Sequence, residues 1–182
     1  MRTSTGLSAR TVASTASIWP PENVTELHFG FLTFAASFSK REIKMRKIRE
    51  IIIHCSATAE GKDYTVNDIT RWHKARGFQT IGYHFVVYRD GSVHLGRKLE
   101  LEGAHCVGHN DASIGICYIG GCASDGKTAK DTRTIEQRIA LIDLVKELKE
   151  QYPKATVHGH REFASKACPS FDVQAWVKEI GL

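Results

Sequence analysis

The sequence predicts a single α/β domain in which helices flank a central mixed β-sheet. The segment 50–54 contains three consecutive isoleucines, a β-branched run that is typical of a strand buried on both faces. Helical patterns then alternate with strand patterns along the chain, which favours a layered α/β architecture. Asp90 and Gly91 separate two alternating segments and predict a tight β-hairpin. Because a hairpin makes its strands antiparallel, the sheet cannot be wholly parallel.

Local signals place the elements that follow the first strand. Thr65 and Asp68 have the spacing of a capping box, so a helix is predicted to start there and run through Arg76. Gly77 is a natural C-terminal stop for that helix. Further strands are predicted at 83–89, 92–96, 113–119 and 155–158.

The second half of the chain contains the longest predicted helix. Thr134 and Gln137 form a second capping box at its start. A closing amphipathic helix is predicted over residues 171–180. The apolar stripe expected to bury the long helix consists of Ile135, Ile139, Ile142, Val145 and Leu148.

Size and composition are those of an ordinary globular domain. The 182 residues are 42% hydrophobic and 25% charged, and the net charge of +5 is typical either of an anionic partner, such as a cell-wall polymer, nucleic acid or a membrane surface, or simply of good solubility. The five cysteines are odd in number and form no CxxC pair, so we expect a reducing compartment and no disulfide framework. No apolar run approaches the roughly 20 residues of a membrane-spanning helix.

Residues 1–44 differ from the rest of the chain. They are rich in Ser and Thr, contain the helix-breaking sequence Trp19, Pro20 and Pro21, and show no sustained period. Met45 then leads directly into the first strand. We predict that residues 1–44 are a disordered extension or an artefact of the assigned start site, and that the functional domain spans residues 45–182.

Three residues form a candidate metal site at the strand ends. His54 ends the first predicted strand, His160 follows the last one by two residues, and Cys168 lies eight residues further on. Since ligands gather beyond the carboxyl ends of strands in α/β sheets, these side chains are expected to meet there. Two imidazoles and one thiolate are suitable ligands for zinc, and three protein ligands leave one coordination position open. That arrangement, with Lys166 nearby, indicates a hydrolytic zinc site.

Several segments together resemble the type 2 zinc N-acetylmuramoyl-L-alanine amidases, and most of all their small phage endolysins of the T-seven lysozyme kind. Peptidoglycan recognition proteins are related to this family. The resemblance extends from Ile51 to Trp176, in order and with compatible spacing. The matching segments are HCSAT (54–58), RWHK (71–74), GYHF (82–85), RDG (89–91), SIG (113–115) and KACPSFD (166–172).

The resemblance implies hydrolysis of the amide between N-acetylmuramic acid and L-alanine in peptidoglycan. It places the Zn²⁺ ligands at His54, His160 and Cys168, and the family's catalytic Tyr and Lys at Tyr83 and Lys166. A substrate-groove histidine of the family falls on His105. A monomer that requires no nucleic acid is expected, made in the cytoplasm and acting on the cell wall by an unknown export route.

Two alternatives remain open from the sequence. The first is a non-catalytic peptidoglycan-binding module of the same fold, although such proteins typically lack the thiolate ligand that Cys168 supplies. The second is a metal-free cysteine hydrolase in which His160 activates Cys168. Inhibition by a chelator, without inhibition by a thiol alkylator in excess zinc, would separate the zinc enzyme from the cysteine hydrolase.

Overall fold

A computed structural model describes residues 46–182 as an α/β fold around a five-stranded mixed sheet. The strand order is β4-β3-β5-β1-β7, with β1, β3, β5 and β7 parallel and β4 antiparallel at one edge. A separate pair consists of β2 and β6. The elements are β1 (Glu50–Cys55), β2 (Thr58–Ala59), α1 (Val66–Ala75), β3 (Phe85–Val87), β4 (Val93–Leu95), β5 (Ser113–Tyr118), β6 (Gly121–Cys122), α2 (Ile135–Gln151), β7 (Thr156–Gly159) and α3 (Val173–Glu179).

Helix α1 packs on one face of the sheet, and the side chains on that face of β1 point toward it. In the β1–β5 register His54 is paired with Cys117, and Cys117 belongs to the apolar cluster that includes Ile69 of α1. Side chains at paired positions of neighbouring strands lie on the same face of a sheet. His54 therefore projects toward the α1 side, which decides which groups can surround it.

The mixed α/β class and the two capped helix starts are confirmed. Thr65 accepts a hydrogen bond from the backbone of Asp68 at the start of α1, and Thr134 accepts one from Gln137 at the start of α2. The hairpin is present, but its strands are shorter than predicted, because only three residues on each side pair across it. Gly91 adopts a φ of 85°, as the tight turn requires.

The predicted buried stripe of α2 is wrong in its first turns. Ile135 and Ile139 are 72% and 55% exposed, whereas Gln137 and Leu141 are fully buried. Two residues correspond to a rotation of about 200° around a helix, so the predicted and observed stripes begin on opposite faces. The reason is tertiary: the buried Gln137 amide donates hydrogen bonds to the carbonyls of Val87 (3.2 Å) and Ile119 (3.0 Å) and so fixes this face against the sheet.

The described part of the chain includes no helix with the length and apolar character needed to cross a membrane. Segment 1–44 and the predicted boundary at Met45 lie outside the described residues, so both remain predictions.

Candidate metal centre

The three predicted ligands meet at the carboxyl end of the sheet. His54 is the next-to-last residue of β1, His160 directly follows β7, and Cys168 lies in the loop between β7 and α3. Their potential donor atoms all lie within 4.8 Å of one another. The Cys168 Sγ is 3.8 Å from the His54 Nδ1, and the rings of His54 and His160 are 4.5 Å apart. Ligand atoms around a tetrahedral zinc are roughly 3.5 Å apart, so this donor set fits such an ion.

The loop that carries Cys168 is held in place from three sides. The backbone N–H of Cys55 donates to the Cys168 Sγ at 3.3 Å, and the N–H of Arg161 donates to the Cys168 carbonyl at 2.7 Å. The buried Tyr118 hydroxyl donates to the Pro169 carbonyl at 2.6 Å. These contacts tie the thiol to both β1 and β5, so its position next to His54 is set by the sheet.

His105 supports His54 from the side opposite Cys168. The His54 Nε2 and the His105 Nδ1 are 3.0 Å apart, and the His105 Nε2 is 3.3 Å from the Ser113 Oγ. If the His54 Nδ1 faces a metal, its ring proton is on Nε2 and is donated to His105. His105 then donates its own Nε2 proton to Ser113. With a metal at Nδ1, this chain of three side chains would fix the tautomer and the orientation of His54.

Glycine makes room for this supporting histidine. A Cβ atom added at Gly115 of β5 would lie 2.5 Å from the His105 ring, and one at Gly103 would be equally close. Gly within a central strand often marks such a close approach. This signal was present in the sequence but did not by itself identify the group that approaches.

Burial keeps the histidines at the centre neutral. Desolvation, followed by the neighbouring His105, lowers the pKa of His54 well below its usual range. Desolvation and then the Lys166 charge lower the pKa of His160. The hydrogen bond to the Cys55 thiol, reinforced by burial, raises the pKa of Cys168 in the metal-free site. A thiolate–imidazolium pair of the kind used by cysteine hydrolases is thus disfavoured here, whereas a cation would favour the thiolate.

Tyr83 and Lys166 both border this centre, as the sequence predicted. The ring of Tyr83 lies 5.0 Å from that of His54, and desolvation raises the pKa of its hydroxyl well above the usual value. Tyr83 therefore remains a proton donor at neutral pH. Lys166 is exposed, and both side chains line two adjoining cavities of about 170 and 320 Å³. His160 also lines both cavities and Cys168 lines the smaller one, so two of the three candidate ligands border the groove that these cavities form, whereas His54 is buried behind them.

Two groove residues, His73 and Arg76, received no functional role in the sequence analysis. His73 accepts a hydrogen bond from the Gly82 N–H at 2.9 Å, and its ring lies 5.2 Å from that of Tyr83, tilted by 53°. His73 and Arg76 both line the two cavities. His73 is one of the buried residues of α1, and only the tertiary structure shows that this part of the helix borders the groove.

The fold and the site define a class of α/β domains that carry a His–His–Cys cluster at the strand ends. A family model described as N-acetylmuramoyl-L-alanine amidase matches residues 44–171. The chain is 42% identical over 135 residues to an endolysin of Enterobacteria phage K11, which covers 74% of this chain and 89% of that protein. It is 41% identical over 126 residues to the endolysin of Escherichia phage T7, covering 69% and 83%.

A solved structure agrees with these sequence matches. The N-acetylmuramoyl-L-alanine amidase LysC from Clostridium intestinale superposes with a TM-score of 0.65 at 25% identity, over 75% of this chain and 87% of LysC. The chain therefore belongs to the N-acetylmuramoyl-L-alanine amidase family. It is an amidase that acts on peptidoglycan.

Proposed function

We propose that this amidase is zinc-dependent and that His54, His160 and Cys168 hold the ion. The observation that carries the proposal is the cluster of three suitable donor atoms, two of whose residues, His160 and Cys168, line the groove. When bound, zinc with two neutral imidazoles and one thiolate would act as a Lewis acid toward the amide carbonyl and would lower the pKa of water to about 7. Three protein ligands leave the position that this chemistry requires.

Tyr83 and Lys166 would stabilise the negative charge that develops on the substrate carbonyl oxygen. Tyr83 keeps its proton at neutral pH, because burial raises its pKa, and can donate it in a hydrogen bond. Lys166 adds a positive charge at the same groove. Donors that are already in place when charge develops in a transition state lower its energy without a cost of reorganisation.

His105 has two features that bear on its predicted role in substrate binding. It lines the larger cavity, which supports that role, and it also accepts the hydrogen bond that orients His54. We expect His105→Ala to weaken zinc binding about 10- to 100-fold, because an outer-shell partner of a metal ligand is removed. Competition with a fluorescent zinc chelator measures this change. His94→Ala, at a histidine in β4 that hydrogen-bonds Ser92 outside the groove, is the control and should bind zinc normally. Unchanged zinc affinity in His105→Ala would restrict the residue to the substrate.

We also propose where and in what form the enzyme acts. Its endolysin relatives support synthesis in the cytoplasm and action on the cell wall. The net charge of +5 is suited to an anionic wall polymer. A monomer is proposed, with its sedimentation at working concentration as the test.

Digestion of purified peptidoglycan tests the proposal as a whole. We expect release of stem peptides with a free N-terminal alanine, identified by mass spectrometry, and loss of this release after chelation. Added zinc should restore it. Binding to peptidoglycan without cleavage by the zinc-loaded protein would favour the non-catalytic module. Cleavage that resists chelation but not thiol alkylation would favour the cysteine hydrolase.

A further inference from the structure

The charge of the groove is one-sided. Arg76 and Lys166 line both cavities, and three histidines accompany them. Within residues 46–182, no Asp or Glu lines either cavity. A cleft lined by charges of one sign concentrates ligands of the opposite sign. The groove is therefore suited to a substrate that carries a carboxylate close to the bond that is cleaved.

Arg76 is available for such a ligand. It is the exposed C-terminal cap of α1, and among the described residues its guanidinium has no hydrogen-bond or ion-pair partner. The Phe78 ring lies beneath it, 5.6 Å from the guanidinium carbon. Other arginines nearby are engaged: Arg71 pairs with Asp68 at 2.8 Å, and Arg97 donates to the Ile81 carbonyl at 2.9 Å.

The charge of Arg76 acts on His73, a side chain next to Tyr83. After desolvation, it is the main cause that lowers the pKa of His73, to about 4. The His73 ring lies 5.2 Å from that of Tyr83, and the Tyr83 ring lies 5.0 Å from that of the candidate ligand His54. Arg76 also lines the cavity of about 170 Å³ that the other two candidate ligands border, so a group bound by Arg76 would lie within a few residues' length of the scissile amide, given a chain rise of about 3.5 Å per residue.

We propose that Arg76 is a specificity residue that binds the first free carboxylate of the stem peptide. In peptidoglycan this is the α-carboxylate of the acidic residue after the alanine, which is linked onward through its side chain. The planar guanidinium can donate two parallel hydrogen bonds to that carboxylate. The inference rests on the amidase function and adds the chemical group by which the enzyme selects its substrate.

Two soluble substrates and one variant test the proposal. The substrates are an N-acetylmuramoyl tripeptide with the free α-carboxylate at its second residue, and the same compound with a carboxamide there. For the zinc-loaded wild type we expect kcat/KM to be about tenfold higher on the acid, mainly through KM, as one charge-assisted hydrogen bond would give. Arg76→Gln should lose this tenfold preference and leave the carboxamide substrate within about twofold of wild type.

The control is Arg71→Gln, on the same helix and 72% exposed, which should keep the preference. A preference that survives in Arg76→Gln, or an equal loss on both substrates, would overturn the proposal. Dissociation constants of both compounds for the metal-free protein provide a readout that does not need turnover. If the amidase function is wrong, the wild type will cleave neither compound. The ratio of the two dissociation constants, for the acid and for the carboxamide, would still test the role of Arg76.

Discussion

Cys168→Ser is expected to abolish both zinc binding and turnover. A serine hydroxyl is a poor replacement for a thiolate ligand, and the two remaining imidazoles lack its negative charge. The loss of zinc affinity should exceed the roughly 10- to 100-fold cost of removing an outer-shell partner. Metal content after dialysis and peptide release from peptidoglycan measure the two effects.

A matched control and a second variant make this result specific. Cys122→Ser changes another buried cysteine, in β6, and should retain zinc and activity. Cys168→His removes the thiol but restores a zinc ligand. Activity in this variant would show that the residue acts as a ligand and would exclude a thiol nucleophile. A zinc-loaded, active Cys168→Ser would remove Cys168 from the ligand set.

Lys166→Ala is expected to lower kcat about 10²- to 10³-fold while zinc remains bound. That is the usual cost of losing one donor to a developing oxyanion. Zinc should be retained because Lys166 is not a proposed ligand. Its positive charge does lower the pKa of His160, a proposed ligand, but it makes no contact that the ion needs. Single-turnover rates and metal content, measured on the same preparation, separate chemistry from binding.

Lys127→Ala is the control for this prediction. Lys127 is exposed in the loop between β6 and α2, and its removal should leave kcat unchanged. Near-normal turnover in Lys166→Ala would exclude the residue from the mechanism. Loss of zinc in Lys166→Ala would instead indicate that its effect on turnover comes from a disturbed ligand loop.

The sequence predicted the ligand cluster because its signals are local. His54 is the next-to-last residue of a clearly patterned buried strand, and His160 immediately follows another, so topology alone brings them to one edge of the sheet. The capped starts at Thr65 and Thr134 were equally local, since a cap is a contact between residues three apart. Such features can be recognised from a short stretch of sequence, without knowing where distant residues lie.

The features that only the tertiary structure decided involve contacts between distant residues. The partner of His54, His105, is 51 positions away. The buried face of α2 was decided by hydrogen bonds from Gln137 to carbonyls 18 and 50 positions away. The place of Arg76 in the groove required α1 to lie over the end of β1.

By itself, the sequence determined the α/β class and the capped starts of α1 and α2, and it selected the three side chains that we propose as metal ligands. The tertiary structure decided which groups orient those side chains and which charges face the substrate. The physical reason is that the apolar pattern of a strand and the cap of a helix are set by residues close together in the chain. The surroundings of a site depend on how different elements pack together. The sequence pattern within one element contains no direct information about that packing.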